Sequence, residues 1–159
     1  GCAAGGNQAS TQASSWRWES LYRADVRSVA VKTFTNRTFR SGIETALTRA
    51  VAMQLQTDSP YRILPSDSAD TVLEGEVIGV GEDVVSRDFD TLQPRELSLT
   101  ITVDVVWKDL RTGRILMERR GLKSSAVYYP TLGEGQYVGE QQAIERLALG
   151  IVQAMQADW

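Results

Sequence analysis

Six cations close together in the chain are the residues best suited to bind a ligand. Arginine's planar guanidinium donates paired hydrogen bonds to phosphate or carboxylate, and several basic side chains on one surface attract an anionic molecule. Residues 108–123 hold these six cations against two acids, whereas residues 67–96 hold nine acids against two arginines. The segment therefore predicts either an anion-binding surface or a solvated hairpin that the acidic stretch balances. Its cations are Lys108, Arg111, Arg114, Arg119, Arg120 and Lys123.

The composition argues against catalysis. The chain has no histidine and one cysteine, which excludes histidine acid–base chemistry, the usual Cys/His zinc sites and disulfide frameworks. Asp88 and Asp90 lack the spacing of a calcium-binding EF-hand, and the glycines of residues 75–81 lack the Lys-Ser/Thr of a phosphate-binding loop. We therefore expect no enzyme activity, no cofactor and no metal site. The net charge of -3 argues against a general nucleic-acid binder.

The first fifteen residues are small, polar and uncharged, so they bury too little apolar area to offset the entropy of ordering them. We interpret residues 1–15 as a flexible tether. Cys2 at its head looks like the acylated cysteine of a bacterial lipoprotein, and we expect lipid attachment and membrane anchoring there. The alternative is an incidental thiol.

Residues 16–159 are expected to form one domain, because a chain of this length buries a single core. The domain begins with three aromatic residues, Trp16, Trp18 and Tyr22. They predict either a segment that packs over the edge of the core or an interfacial patch that contacts lipid or a partner.

A strand, a turn and a helix open the folded part of the chain. Residues 26–34 are apolar and rich in β-branched side chains, which predicts a buried strand. Asn and Thr at positions 36–38 hydrogen-bond locally to backbone and favour a turn. Ser41 lies three residues before Glu44, the signature of a capping box. We therefore expect a helix over about residues 42–57.

Strand signals dominate the middle of the chain. Residues 97–107 alternate apolar and polar side chains, which predicts a strand with one buried and one polar face. Gly113 indicates a hairpin turn before a returning strand. In the preceding strand three glycines are expected on one face, where they would admit a close helix or bend the strand. The other predicted strands are residues 61–64, 71–86 and 115–129.

The last 20 or so residues form the second amphipathic segment. Ile144, Leu147, Ile151 and Met155 recur at helical spacing, which predicts a helix over about residues 138–157. Both helices need an apolar surface, and the apolar face of the 97–107 strand supplies one. The predicted fold is α+β, a two-layer sandwich with two helices on one face of a mixed, mainly antiparallel sheet of about four strands.

Several of these segments, in this order, resemble the LPS-assembly lipoprotein family LptE. They are Gly1-Cys2; Val-Ala-Val-Lys-Thr-Phe-Thr-Asn-Arg-Thr at 29–38; Gly-Ile-Glu-x-x-Leu-Thr at 42–48; Ala-Asp-Thr-Val-Leu-Glu-Gly at 69–75; Asp-Leu-Arg-Thr-Gly at 109–113; and Glu-Arg-Leu-Ala at 145–148. The resemblance covers most of residues 26–157.

The resemblance implies a non-enzymatic outer-membrane lipoprotein that faces the periplasm. Members of the family plug the lumen of the large β-barrel LptD, support its assembly, and bind lipopolysaccharide on its way to the cell surface. The six cations are the candidate lipopolysaccharide contacts. The alternative function is a periplasmic lipoprotein binding module of the kind that activates peptidoglycan synthases or builds secretion pores.

Overall fold

A computed structural model describes residues 21–156 of the chain. Cys2, the tether of residues 1–15, and the two tryptophans at positions 16 and 18 lie outside the described residues. Tyr22 is buried against Tyr61, with ring centroids 5.6 Å apart, so this residue of the aromatic segment belongs to the core. No helix within residues 21–156 is both long enough and apolar enough to cross a bilayer.

The elements follow one another in the order strand, strand, helix, four strands and helix. Their bounds are β1 (Ser28–Val31), β2 (Thr35–Asn36), α1 (Ile43–Asp58), β3 (Arg62–Ile63), β4 (Thr71–Arg87), β5 (Pro94–Asp109), β6 (Ile115–Tyr128) and α2 (Gln136–Ala154). A 3-10 turn, Pro130–Leu132, precedes α2.

All six described strands form one sheet, in the order β3-β1-β4-β5-β6. β1 pairs with the first residues of β4 and β2 with the next ones, so the two short strands follow each other along the same edge of β4. The prediction of about four strands was wrong, and so was the prediction of a mainly antiparallel sheet. β1 runs parallel to β3 and β4, and β2 runs parallel to β4, because the α1 crossover returns the chain in the same direction.

The predicted two-layer arrangement is confirmed in outline: two helices lie on a mixed sheet. The inner face of β5 is fully buried from Leu99 to Trp107 at alternate positions. α1 faces the core with a stripe at helical spacing, and α2 does the same with seven buried positions. The α1 stripe is Ile43, Leu47, Val51 and Leu55.

A register shift in β4 moves part of the predicted glycine face. Gly75 points to the helix side of the sheet, where its Cα approaches Phe34. Between Val77 and Gly79 one extra residue enters β4, so Gly79 pairs with Thr102 on the opposite, outer face. The prediction that Gly75, Gly79 and Gly81 share a face was therefore wrong.

The start of α1 also differs from its prediction. Gly42 occupies the N-cap with a φ of 91°, and no side chain caps the helix. Ser41 and Glu44 therefore do not form a capping box. Glu44 instead accepts a hydrogen bond of 2.9 Å from Asn36 Nδ2, and this bond, after one from its own backbone N–H, lowers the pKa of Glu44.

Asn36 organises the loop between β2 and α1. Its Oδ1 accepts from the backbone N–H of Thr38 at 2.8 Å and from the Thr38 hydroxyl at 2.6 Å. Its Nδ2 also donates to the carbonyl of Arg40 at 2.7 Å. One side chain thus fixes both ends of the loop.

Replacing Asn36 with alanine is expected to lower the free energy of unfolding by about 1–3 kcal/mol, because part-buried donors and acceptors lose their partner. Urea denaturation of the variant and the wild type measures the difference. Thr35→Ala, one residue earlier on the exposed side of β2, serves as control and should change stability by less than about 0.5 kcal/mol. Equal losses in the two variants would contradict this role of Asn36.

Candidate anion- and partner-binding surface

The β5–β6 hairpin distributes the six cations over three places. Lys108, Arg120 and Lys123 lie on the outer face of the sheet, away from the helices; Lys123 pairs there with Thr102. Arg119 pairs with Val105, whose side chain is in the core, so Arg119 lies on the helix side near the edge. The remaining two arginines lie in or just after the connecting turn. The cations do not form one cluster.

The outer face holds a groove of about 570 Å³ between β1, β4, β5 and β6. Its charges alternate in sign. Glu74, near the start of β4, accepts from Lys32 Nζ at 3.5 Å and from Lys108 Nζ at 3.3 Å. The charged residues that line the groove are Lys32, Arg37, Glu74, Glu76, Asp104, Glu118 and Arg120.

Each of these carboxylates has a defined partner. Burial acts to raise the pKa of Glu74, but the hydrogen bond and charge of Lys108 and the charge of Lys32 outweigh it and lower that pKa. Arg37 Nε lies 2.9 Å from Glu76, and Arg120 Nε lies 3.1 Å from Glu118. The groove is therefore a balanced surface of ion pairs rather than a cationic one.

The turn between β5 and β6 has the predicted hairpin form. Gly113 has a φ of 74°, a left-handed conformation that glycine adopts without strain. Asp109 Oδ1 accepts from the backbone N–H of Arg111 at 2.8 Å and lies 3.6 Å from its guanidinium. The backbone hydrogen bond from Arg111 is the main cause that lowers the pKa of Asp109. Arg114 leaves the turn exposed.

A second groove, of about 440 Å³, lies on the helix side of the hairpin. Trp107, Met117 and Met155 are buried side chains that form its apolar floor. Arg23 and Asp25, which lie 3.4 Å apart, also line the groove, so Arg119 is the lining cation without a carboxylate partner among the described residues. Arg119 donates to the carbonyl of Glu118 at 2.9 Å. An apolar floor beside a cation suits an amphiphilic anion.

Half of the six cations have a carboxylate partner. Among residues 21–156, no carboxylate lies within 4.0 Å of Arg114, Arg119 or Lys123. The acidic stretch of residues 67–96 supplies a partner for Lys108 alone, namely Glu74, whereas Arg111 and Arg120 pair with acids of the hairpin itself. The three unpaired cations are free to meet an anion, but they lie on different sides of the hairpin.

Sequence reasoning assigned Lys32 no role and treated Arg37 as part of the scaffold. Both reach the outer groove because β1 and β2 pair in parallel with β4, which aligns Lys32 beside Glu74 and Arg37 beside Glu76. The signal was available in part, since Val29 and Val31 of β1 face the core and the alternation of a strand places the side chain of Lys32 on the other face.

A third polar cluster ties α2 and the loop before α1 to the far half of β4. Arg40 lies 3.4 Å from Glu140 and 3.9 Å from Glu82. The Tyr128 hydroxyl donates to Glu82 at 2.9 Å, and burial, followed by this hydrogen bond, raises the pKa of Tyr128 to about 12. Among the described residues, no group of three Cys, Asp or Glu side chains is arranged to hold a metal ion.

The family model LptE, described as lipopolysaccharide-assembly, matches residues 26–158. The chain belongs to the LptE family. The resemblance expected from the residues is confirmed, and membership in the LptE family implies a role in lipopolysaccharide assembly as an envelope lipoprotein. A comparison with curated proteins finds no match.

Solved structures resemble this LptE-family chain in fold. The hypothetical protein CT253 of Chlamydia trachomatis matches with a TM-score of 0.58 and 13% identity, over 80% of this chain and 94% of that one. A minor lipoprotein of Acinetobacter baumannii matches with a TM-score of 0.52 and 15% identity, over 83% and 98% of the two chains. The PelC dodecamer of Paraburkholderia phytofirmans matches with a TM-score of 0.52 and 17% identity, over 86% of this chain and 93% of that one. At these identities the likeness concerns the fold alone.

Proposed function

We propose that this protein is a non-enzymatic outer-membrane lipoprotein that plugs an LptD-like β-barrel, supports the assembly of that barrel, and binds lipopolysaccharide in transit. The observation that carries the proposal is the LptE match over residues 26–158. In this proposal an acylated Cys2 anchors the chain to the periplasmic face of the outer membrane. Residues 1–15 form the tether, and residues 16–159 form the single domain.

The outer face of the sheet supports the role of a plug. Ser98, Thr100 and Thr102 alternate along β5 on this face, and the Thr100 hydroxyl lies 2.7 Å from that of Ser125 on β6. Together with the ion-paired groove they make one long polar surface. A water-filled barrel lumen presents a polar wall, and such a wall pairs with hydroxyls and ion pairs without burying unsatisfied charge.

The unpaired cations support lipopolysaccharide binding. Lipopolysaccharide carries phosphates and acyl chains, so a binder needs cations beside apolar surface. Arg119 at the rim of the apolar groove meets that requirement most fully, and Lys123 and Arg114 extend the positive charge along the hairpin. The other three cations remain candidates that would exchange a carboxylate partner for a phosphate.

The test of the barrel partner is co-purification. The full chain with an affinity tag, extracted from its own envelope in mild detergent, is expected to retain one large β-barrel protein that mass spectrometry identifies as LptD-like. Extraction at raised salt tests whether the ion-paired outer face holds the barrel, because exposed ion pairs weaken as dissolved salt screens their charges. A chain that retains no barrel in either condition would refute the plug proposal.

Reversing two cations tests lipopolysaccharide binding. Arg119→Glu and Arg120→Glu, together, are expected to weaken the affinity for purified lipopolysaccharide by at least about tenfold, because a charge-assisted hydrogen bond contributes roughly 1.5–3 kcal/mol. The two single variants then show which face of the hairpin binds, because Arg119 and Arg120 lie on opposite faces. A larger loss of affinity in the Arg119 variant indicates binding at the apolar groove.

Arg49→Glu, an equal reversal at an exposed position of α1, is the matched control and should bind as the wild type does. Circular dichroism confirms that the variants are folded. Unchanged affinity in the double variant would remove both arginines from the site. The alternative role in peptidoglycan synthesis or a secretion pore gains no support from the fold likeness to PelC.

A further inference from the structure

One long edge of the sheet is occupied only in part. β1 and β2 pair with residues 71–77 of β4, and beyond them the backbone of residues 79–87 pairs with β5 alone among the described strands. This second part, the open edge of β4, is nine residues long, whereas a typical strand has about five or six. It continues the line along which β1 and β2 already pair.

Alternate backbone groups of this segment point outward. In the first part of β4, the backbone carbonyls of Leu73 and Val77 accept hydrogen bonds from the backbone N–H groups of Lys32 and Arg37. The backbone groups of these two residues therefore point toward β1 and β2. The register shift after Val77 changes the parity of the strand, so beyond it the N–H and C=O groups of residues 80, 82 and 84 face the open edge and have no backbone partner among residues 21–156. A row of such groups is a template for another strand.

The other edge of the sheet is protected. On β6, Arg146 donates to the outward carbonyl of Ser125 at 2.7 Å. Gly121, with a φ of 68°, bends the strand while its N–H bonds to Asp104. Charged side chains and irregularities of this kind prevent strand pairing. The open edge of β4 is regular from residue 79 to residue 84, with register shifts only beyond Val84, and it carries two glycines and two exposed valines.

A groove lies beside the open edge, where an added strand would enter. Residues 37–40 form one wall and residues 79–82 the other, enclosing about 710 Å³. The ring of Phe39 is fully exposed at this groove, and Val84 and Val85 are exposed farther along β4. An extended segment on the edge would cover these apolar side chains as its backbone pairs.

Charge decides which kind of chain fits. A second copy paired antiparallel about the middle of the edge would bring Asp83 close to its own counterpart, and like charges opposite each other destabilise a sheet. Among the described residues Asp83 has no cation within 4.0 Å, whereas its neighbour Glu82 is held by Arg40 and Tyr128. Asp83 therefore favours a foreign segment that carries Lys or Arg opposite it.

We propose that the open edge of β4 binds an extended, basic segment of the barrel protein by β-strand addition. The proposal rests on the proposed function, because it takes the barrel as partner. Backbone hydrogen bonds would hold the segment, Phe39 would pack against one of its apolar side chains, and Asp83 would select its basic residues.

Hydrogen exchange of the full chain, free and in the co-purified complex, tests this proposal. The amides of residues 80, 82 and 84 are expected to exchange at least about tenfold more slowly in the complex, because each gains a hydrogen bond. The outward amide of residue 127 on β6 is the internal control and should exchange at the same rate in both states.

Val84→Pro removes one outward donor from the open edge and should reduce the amount of captured barrel several-fold. Val127→Pro on β6 makes the same change on the other edge, and this variant should capture as much barrel as the wild type does. If Val84→Pro does not fold, the exchange rates of the wild type decide alone. Capture of the barrel with unchanged exchange at residues 79–87 overturns strand addition and leaves the plug proposal intact. Absence of any captured barrel overturns both.

Discussion

Replacing Trp107 with alanine is expected to lower the free energy of unfolding by about 3–5 kcal/mol, more than any other single change considered for this chain. Trp107 is 1% exposed and lies near the C-terminal end of β5, on the face of the sheet that packs against the helices. Its ring packs against Tyr61 with centroids 5.7 Å apart, and it pairs across the sheet with Met117. Alanine would leave a cavity between the sheet and the C-terminal end of α2.

Part of this loss comes from a buried hydrogen-bond chain. Trp107 Nε1 donates to the Thr71 hydroxyl at 2.9 Å, and that hydroxyl donates to the carbonyl of Ser28 at 2.8 Å. The chain joins β5, β4 and β1. Thr71→Val keeps the shape and leaves the buried indole N–H unpaired, so it should cost about 1–3 kcal/mol by itself.

Urea denaturation of both variants separates packing from hydrogen bonding, provided the slope with denaturant stays constant. Phe89→Ala, which truncates an almost fully exposed aromatic ring in the β4–β5 loop, is the control and should change stability by less than about 0.5 kcal/mol. A Trp107→Ala loss no larger than the Thr71→Val loss would mean that the indole ring contributes little packing.

Local periodicity predicted the parts of the fold that repeat. The alternation of residues 97–107 predicted the buried face of β5, and the helical spacing from Ile144 to Met155 predicted the buried stripe of α2. Both predictions were possible because each pattern spans several turns or pleats. β3 was predicted within residues 61–64, but β2 was missed because it is only two residues long and exists because residues 76–77 of β4 pair with it. A sequence window carries no sign of such pairing, so the strand count was too low.

The candidate site was predicted in composition but not in geometry. Sequence proximity suggested one basic surface, yet adjacent residues of a strand point to opposite faces, and Arg119 and Arg120 separate accordingly. The partners of the outer groove came from β1 and β4, which are distant in sequence. Lys32 and Glu74 are joined only by the parallel register of those strands, which follows from the α1 crossover.

Replacing Gly75 with alanine is expected to lower the free energy of unfolding by about 1–3 kcal/mol, because it overpacks the core. A Cβ at this position would lie 2.5 Å from Cε2 of Phe34, closer than atoms of a folded core approach. Phe34 is 2% exposed, and its backbone N–H is held by the Thr48 hydroxyl at 2.9 Å, so the ring can yield only by displacing buried neighbours.

Gly79→Ala, four residues along the same strand, is the matched control. The nearest atom to its added Cβ, Cβ of Thr102, would be 3.8 Å away, so stability should stay constant or rise by up to about 1 kcal/mol as the unfolded chain loses freedom. A Phe34→Leu background should relieve the Gly75→Ala loss, since the two positions are in contact. Equal effects of the two alanines, or an undiminished loss beside Leu at position 34, would show that Gly75 serves the backbone of β4 rather than the approach of the Phe34 ring.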